Sequence, residues 1–173
     1  MRLKDQIALV TGGGRGIGRS IGLAFAREGA DVAVAARSEP EIAAVRREVE
    51  GLGRRGLACV CDVTDATQVA RLVQDVQETL GPITILVNSA GMAASAKTTE
   101  MDDALWERIL RVNLTGTYLC TKAVLPGMLH RGSGRIINIA SVGGKVGLLY
   151  SAAYCASKHG VLGFTRALAL EVA

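Results

Sequence analysis

The sequence predicts an α/β protein built on one doubly wound parallel sheet, a single domain that spans residues 1–173. Two observations indicate this fold class. Five short apolar runs, typical of strands buried on both faces, alternate with stretches in which apolar residues recur at helical spacing. No internal repeat, low-complexity tract or linker divides the chain. Right-handed crossovers between successive strands then favour the strand order 3-2-1-4-5.

The first apolar run, residues 7–10, leads into a glycine-rich loop at 11–18, and a helical pattern follows the loop. Such a loop lets backbone amides approach a pyrophosphate at the helix N-terminus, where the helix dipole favours negative charge. Its spacing, G-x-x-x-G-x-G, differs from the commoner dinucleotide fingerprint G-x-G-x-x-G. A simple turn is the alternative, but the order strand, loop, helix favours a cofactor site. The predicted contacts in this loop are Gly12, Arg15, Gly16, Ile17 and Gly18.

The second strand, residues 31–36, ends without the acid that usually binds the ribose 2′-hydroxyl of NAD. Arg37 stands there instead, and Ser38 with Glu41 forms a capping-box pattern that opens the next helix. A 2′-phosphate would meet a guanidinium, a hydroxyl and a helix N-terminus at this point, and Arg15 could reach it from the loop. The alternative is that both arginines are merely solvated. We predict NADP(H) as the cofactor, with Arg37 and Ser38 among its contacts.

Two further strands supply the remaining cofactor contacts. Asp62 follows the third strand, residues 57–61, and could either accept a hydrogen bond from an adenine amine or only support the turn. The fourth strand, residues 83–87, precedes the sequence Asn-Ser-Ala-Gly at 88–91, whose small residues let a nicotinamide ribose lie against the backbone. The predicted contacts here are Asp62, Val63, Asn88, Ala90 and Gly91.

A pair of helices is predicted between residues 102 and 130. Asn113 lies between its two halves and marks a bend, because an asparagine side chain competes with the helix for hydrogen bonds. Pro126 should disturb the second half further on, since proline lacks the amide that a helix needs.

Ser141, Tyr154 and Lys158 are the candidate catalytic side chains. Ser141 ends the fifth apolar run, residues 135–140, and the other two lie four residues apart, so that they share one face of a helix. A nearby ammonium favours the phenolate and lowers a tyrosine pKa from its reference value of about 10. Carbonyl reduction needs three such groups. A hydroxyl polarises the carbonyl oxygen, a phenol protonates that oxygen, and a lysine lowers the pKa of the phenol. Taken alone, Tyr-x-x-x-Lys is more often a surface pair.

Composition argues against several other classes of protein. The 173 residues are 49% hydrophobic and 21% charged, as expected for a globular domain. The net charge of +4 is mild and the basic pairs lack interleaved aromatics, so no nucleic-acid partner is predicted. The sequence shows no signal peptide or membrane-spanning run, and its four cysteines have too few His or Cys neighbours for a zinc site. We expect reduced thiols, no metal, no membrane partner and a cytoplasmic location.

These residues together resemble the short-chain dehydrogenase/reductase family in its Rossmann-type form. The resemblance covers the whole chain, with motifs in the usual order: Thr11-Gly12-x-x-x-Gly16-x-Gly18, Asp62, Asn88-x-Ala90-Gly91, Asn113, Ser141 and Tyr154-x-x-x-Lys158. It implies that Tyr154 is the acid/base, that Ser141 binds the substrate oxygen and that Lys158 holds the nicotinamide ribose. It also implies that Asn113 positions a water in the proton relay. Tyr150 is not followed by a lysine four residues later, so it can at most line the pocket.

The resemblance also implies a cofactor and a substrate class. Arg15 and Arg37 resemble the pair that selects NADP(H) in this family. The segments 143–147 and 154–161 look like those of 3-oxoacyl-thioester reductases and polyketide ketoreductases. The expected reaction is therefore the NADPH-dependent reduction of a ketone to a secondary alcohol, with a carrier-bound 3-oxoacyl thioester as the favoured substrate. Two alternatives stay open: a reductase or dehydrogenase of another small ketone or alcohol (sugar, steroid or xenobiotic), and a non-catalytic NADP-binding protein.

The family normally continues past the equivalent of Ala173 with two further strands and a mobile helical segment that covers the substrate. We therefore expect residues 1–173 to lack these parts and to belong to a longer reductase. Without them, the outer edge of the fifth strand would be left uncovered, which favours association through that edge. A homo-oligomer, a dimer or tetramer formed through the helices at 102–130 and 153–173, is expected as well.

Overall fold

The computed structural model describes all residues from Met1 to Ala173. One parallel sheet of five strands has the order β3-β2-β1-β4-β5. Its strands are Ile7–Thr11 (β1), Asp31–Ala36 (β2), Gly56–Val60 (β3), Ile85–Asn88 (β4) and Arg135–Asn138 (β5). The α-helices are Gly16–Arg27 (α1), Glu39–Gly51 (α2), Ala66–Thr79 (α3), Asp103–Leu110 (α4), Gly116–Arg131 (α5) and Ala152–Glu171 (α6). The predicted fold class and strand order are confirmed.

β1 lies at the centre of the sheet, with all its residues buried, and pairs in parallel with β2 and β4. Because successive side chains of a strand point to opposite faces, Leu9 joins one apolar cluster and Ala8 joins the other. The first cluster packs α3 and α5 against the sheet, and the second packs α1 and α2 against its opposite face. Burial of both faces explains why these strands are continuous apolar runs in the sequence.

Two predictions concern the pair of helices after β4: a bend at Asn113 and a disturbance of the second helix at Pro126. The structure confirms the first and contradicts the second. The bend predicted at Asn113 is confirmed as a π-helical turn, Arg111–Thr115, between α4 and α5. Pro126 lies inside α5, which continues past it, so the prediction that this proline would disturb the helix is wrong. Proline removes one backbone hydrogen bond. Val124 and Met128, on either side of it, are buried in the core, and their packing keeps the adjacent turns helical.

Asp31, at the start of β2, anchors the amino end of the sheet. Its carboxylate forms ion pairs with Arg54 and Arg55, each at an N–O distance of 2.7 Å. Burial opposes the charge of this carboxylate, but the hydrogen bonds from Arg55 and the charges of both arginines outweigh burial and hold the pKa of Asp31 below its usual value. Arg55 also donates to the carbonyls of Thr79 and Leu80, so it joins β2 and β3 to the end of α3.

β5 forms one edge of the sheet and pairs with β4 alone. It covers residues 135–138 and is two residues shorter than the predicted run of 135–140. Its residues alternate between exposed and half-buried, and Ile137 is among the exposed ones. Ile139 and Ala140 leave the strand and line the cleft described below.

The thiols of the protein are unpaired. All four cysteines are free, Cys59 half-buried and the other three buried, as predicted. Burial raises the pKa of Cys120 to about 12, which makes this thiol unreactive near neutral pH.

No cluster of His, Cys, Asp or Glu side chains is arranged to hold a metal ion. None of the helices combines the length and the apolar composition that crossing a bilayer requires.

Candidate active site

A cleft of about 620 Å³ runs along the carboxyl edge of the sheet. In a parallel sheet the carboxyl ends of all strands lie at one edge, so that loops distant in sequence meet there. Twelve of the predicted site residues line this cleft: Gly12, Arg15, Ile17, Gly18, Arg37, Ser38, Asp62, Val63, Ala90, Gly91, Tyr154 and Lys158. The other four, which do not line it directly, are Gly16, Asn88, Asn113 and Ser141.

The glycine loop brings the backbones of two strand ends into close contact. Gly12 has a φ of +64°, and a Cβ at this position would lie 2.8 Å from the backbone of Ala90. A Cβ on Gly18 would overlap the carbonyl oxygen of Gly12. α1 begins at Gly16, after Arg15, whose side chain makes no capping hydrogen bond. The amides of the first helical turn therefore stay open to an anion, and the loop fits the pyrophosphate of a dinucleotide.

The two arginines predicted to bind a 2′-phosphate both lie in the cleft wall. Arg15 and Arg37 are exposed, and neither guanidinium forms an ion pair within the protein. Ala36 ends β2 beside them and carries no acid. Two cations without partners in a cleft of this shape fit a phosphate group.

The capping box predicted for Ser38 and Glu41 is wrong. Ser38 occupies the N-cap position of α2, but its side chain makes no capping hydrogen bond. Glu41 packs against the glycine loop instead: a Cβ on Gly14 would lie 3.0 Å from the Glu41 Cβ and 3.1 Å from its Oε2. The Ser38 hydroxyl and the Glu41 carboxylate therefore both remain available to a molecule in the cleft.

Asp62 holds the turn after β3. Its Oδ1 accepts hydrogen bonds from the backbone amide and the hydroxyl of Thr64, at 2.9 and 2.8 Å. The turn role that the sequence left open is therefore confirmed. Asp62 also lines the cleft, and a contact between its second oxygen and an adenine amine stays a prediction.

Tyr154 and Lys158 lie side by side near the N-terminus of α6. The Lys158 Nζ is 5.9 Å from the centre of the Tyr154 ring, and it donates a 2.7 Å hydrogen bond to the carbonyl of Ile139. Lys158 is 7% exposed, and this burial lowers the pKa of its ammonium because water no longer solvates the charge. A Cβ on Gly91 would lie 3.9 Å from Nζ, so the loop after β4 passes close to the lysine.

Ser141 lies near Tyr154, although it is not among the residues that line the cleft. It caps a short 3₁₀ turn, Val142–Gly144, through a 3.1 Å hydrogen bond that its Oγ accepts from the amide of Gly143. Gly143 in turn contacts the tyrosine, since a Cβ there would lie 3.3 Å from a ring carbon of Tyr154. The Ser141 hydroxyl keeps its own hydrogen free for another acceptor.

Asn113 is 1% exposed, and every hydrogen bond of its side chain goes to the protein. Its Oδ1 accepts from the amide of Met92, and its Nδ2 donates to the Met92 carbonyl and to the Ser157 hydroxyl. The backbone carbonyl of Asn113 accepts from the Thr117 hydroxyl. The geometry therefore makes Asn113 a positioning residue, and a role in holding a water stays a prediction.

Ser157 is a site residue that the sequence did not indicate. It is fully buried; its hydroxyl accepts from Asn113 Nδ2 and donates to the Tyr154 carbonyl at 2.7 Å. Through it, the loop after β4 is tied to the first turns of α6. The sequence contains no signal for this role, because a serine next to Lys158 does not indicate which residue it will contact.

Asn88 and Tyr150 lie outside the cleft lining. The Asn88 side chain is buried and donates to the side chains of Thr121 and Asn138, so it joins β4 to α5 and β5 instead of pointing into the cleft. Tyr150 is exposed and has a φ of +57°. Its carbonyl accepts from the amide of Ala96, which fixes the loop before α6.

Residues 6–173 match the short chain dehydrogenase family. A provisionally assigned ketoacyl reductase of Streptomyces coelicolor is 45% identical over 171 residues, which make up 98% of this chain and 66% of that protein. The 3-oxoacyl-[acyl-carrier-protein] reductase of Vibrio harveyi is 42% identical over 173 residues, 100% of this chain and 70% of that protein.

A solved structure is similar to this chain in both sequence and fold. A variant of actinorhodin polyketide ketoreductase, solved with NADPH, superposes with a TM-score of 0.94 at 44% identity, over 96% of this chain and 65% of that one. The chain thus spans about two thirds of the length of the proteins it matches. Because sequence and fold agree over nearly every residue, the chain belongs to the short-chain dehydrogenase/reductase family.

Proposed function

We propose that the protein is an oxidoreductase that uses NADPH to reduce a ketone to a secondary alcohol. One observation carries this proposal: Tyr154 and the buried ammonium of Lys158 lie side by side in the wall of a cleft that also contains the glycine loop. A protein that only bound a dinucleotide would need no phenol beside a lysine. Membership of the family supports a nicotinamide cofactor, and the reductases among its relatives support a carbonyl substrate.

NADPH is the cofactor that the charges of the cleft favour. Arg15 and Arg37 have no partner within the protein, and a charge-assisted hydrogen bond to a 2′-phosphate contributes about 1.5–3 kcal/mol. The Ser38 hydroxyl, which caps nothing, adds a third donor at the same place. When bound, the nicotinamide would supply the hydride for the reduction.

The side chains around Tyr154 suit proton transfer to a carbonyl oxygen. The phenol is the proton donor, and the Lys158 ammonium lies 5.9 Å from the centre of its ring. Ser141 accepts a hydrogen bond from the Gly143 amide, which leaves its own hydrogen for the substrate. Two donors would then meet one oxygen and stabilise the negative charge that develops on it.

A 3-oxoacyl thioester is the substrate class that we propose. The support comes from similarity: the related protein of Vibrio harveyi is a 3-oxoacyl-[acyl-carrier-protein] reductase, and the similar solved structure is a polyketide ketoreductase. Both names describe reduction of a keto group on an acyl chain.

The test is NADPH consumption with a matched pair of substrates, a 3-oxoacyl thioester and the oxygen ester of the same acyl chain, together with a simple cyclic ketone. We expect turnover with the thioester at a higher kcat/KM than with the other two. Faster turnover of the cyclic ketone would favour a reductase of other small ketones. Tight NADPH binding without turnover of any ketone would favour a non-catalytic binding protein.

We also propose that copies of the chain associate through α5 and α6. Tyr118 on α5 is exposed and lies edge-on to Phe164 of α6, at a ring distance of 6.2 Å, so the two helices share an outward aromatic pair. Sedimentation of the wild-type protein and of Tyr118→Glu tests this. A dimer or tetramer that the charge dissociates supports the proposal, and a wild-type monomer contradicts it.

A further inference from the structure

Glu41 places a negative charge at the end of the cleft where the two free arginines lie. Its Cβ and Oε2 are 3.0 and 3.1 Å from the position that a Cβ on Gly14 would occupy. Arg15, Arg37 and Glu41 all line the same cleft, next to the carboxyl end of β2. The Glu41 side chain, which α2 carries, therefore packs over the glycine loop in the same cleft as the two arginines.

This carboxylate has no partner in the protein. Two other acids of α2 are engaged, Glu48 with Arg19 and Glu50 with Arg46. Glu41 makes neither an ion pair with Arg15 or Arg37 nor the hydrogen bond of a capping box. An unpaired charge in the wall of a cleft interacts electrostatically with the charged and polar groups of a molecule that binds there.

The two cofactors differ at the group that would lie closest to this charge. NADPH carries a 2′-phosphate with a charge of about −1.5 to −2 at neutral pH, whereas NADH carries a neutral hydroxyl. A carboxylate repels the phosphate but accepts a hydrogen bond from the hydroxyl. Arg15 and Arg37 act in the opposite direction. The preference for NADPH is then the difference between two opposing contributions.

We propose that Glu41 is a specificity-determining residue that weakens discrimination between NADPH and NADH. This inference rests on the proposed use of NADPH. It predicts that the wild-type protein binds NADPH more tightly than NADH but keeps measurable affinity for both. It also predicts that removing the Glu41 charge sharpens the preference.

The test compares the wild-type protein with Glu41→Gln and with a matched control, Glu39→Gln. Glu39 lies in the same first turn of α2 and loses the same charge, but it is exposed and outside the cleft. Dissociation constants of NADPH and NADH are measured by titration of nicotinamide fluorescence, and thermal unfolding checks that each variant is folded. We expect Glu41→Gln to raise the ratio Kd(NADH)/Kd(NADPH) about three- to tenfold, and Glu39→Gln to change it less than about twofold.

A second variant separates the two effects of the carboxylate. Glu41→Ala removes the hydrogen-bond acceptor as well as the charge, so it should also weaken NADH binding. A ratio for Glu41→Gln equal to that of the wild type, or an equal rise for Glu39→Gln, would overturn the inference. Arg37→Ala tests the underlying proposal separately: an unchanged ratio in that variant would contradict NADPH selection by the arginines, while the response to Glu41→Gln would still decide the role of Glu41.

Discussion

Replacement of Gly18 by alanine tests whether the contact between the glycine loop and α1 is as close as it is in the structure. A Cβ at this position would overlap the carbonyl oxygen of Gly12 and lie 2.9 Å from its carbonyl carbon. Both atoms belong to the backbone, so no side-chain rotation can relieve the contact, and either the loop or the helix must move. We therefore expect Gly18→Ala to lower the stability of the protein and to weaken NADPH binding.

The magnitude follows from two opposing contributions. Overfilling a well-packed site costs about 1–3 kcal/mol, and occasionally more. Removing a glycine from a helix contributes about 1 kcal/mol of stability. The net expectation is a loss of up to about 2 kcal/mol in the free energy of unfolding.

Gly22→Ala is the matched control in the same helix. A Cβ on Gly22 would lie 3.5 Å from a methyl of Val32 and 3.6 Å from a methyl of Val34, which is ordinary packing distance. This variant keeps the helical gain without the overlap, and we expect it to be more stable than the wild type by about 1 kcal/mol.

Urea unfolding of the three proteins measures the stability difference, and fluorescence titration measures NADPH binding. The two variants should differ by about 1–3 kcal/mol in the free energy of unfolding, with Gly18→Ala the less stable, because only the overlap distinguishes them. If Gly18→Ala were as stable as Gly22→Ala, or bound NADPH as tightly as the wild type, the backbone contact would not control the loop and the reasoning would be wrong.

Three further predictions concern chemistry, cofactor choice and pH. Tyr154→Phe should lower turnover of a ketone about 10²–10⁴-fold while NADPH titrations stay unchanged, whereas Tyr150→Phe should keep wild-type turnover. Ala36→Asp places a carboxylate at the end of β2, where it repels a 2′-phosphate and accepts a ribose hydroxyl, so cofactor titrations should show NADH preferred. The pKa of Asp31 is lower in the folded than in the unfolded protein, so its charge contributes stability above its usual pKa and loses that contribution as the pH falls through the folded value. Asp31→Asn should therefore cost about 1–3 kcal/mol at neutral pH, the range for hydrogen bonds to charged groups, because the arginines keep contact with water. The variant should also show a smaller acid-induced loss of stability in denaturation curves recorded at several pH values.

The fold and the glycine loop could be predicted because their determinants are local in the sequence. A strand buried on both faces requires a continuous apolar run, and β1 and β2 have that composition. The spacing of Gly12, Gly16 and Gly18 marks positions where the backbone needs freedom or close approach, and two of them have positive φ. Tyr154 and Lys158 share a helical face through a four-residue spacing alone.

The errors in the sequence-based predictions have a common cause, which is competition from tertiary contacts. Ser38 and Glu41 have the residue types of a capping box, but the Glu41 side chain packs against Gly14, which lies far from it in the sequence. Pro126 has the local signature of a helix break, and burial of the residues around it keeps α5 continuous. In both cases a weak local preference gives way to packing that no short window of sequence contains.

Ser157 and Asn113 were harder to interpret because their roles depend on partners in other elements. Asn113 could be recognised as the site of a bend, but its bonds to Met92 and Ser157 require α6 and the loop after β4 to meet. A serine next to a lysine on a helix gives no indication of such a partner. The buried hydrogen bonds of the site therefore had to be read from the structure.

The candidate catalytic side chains of α6 are positioned mainly through bonds between α6 and the ends of β4 and β5. Lys158 donates to the carbonyl of Ile139, just after β5, and Ser157 is joined through Asn113 to Met92, after β4. β4 and β5 are in turn held in register by their ladder, with Asn88 opposite Asn138 and a side-chain hydrogen bond between the two asparagines. Because these bonds attach α6 to the ends of both strands, the position of the phenol and the ammonium relative to the cleft depends on the pairing of β4 with β5. The Asn88 side chain thus supports the candidate site without entering the cleft, because it helps to maintain the sheet geometry to which α6 is attached.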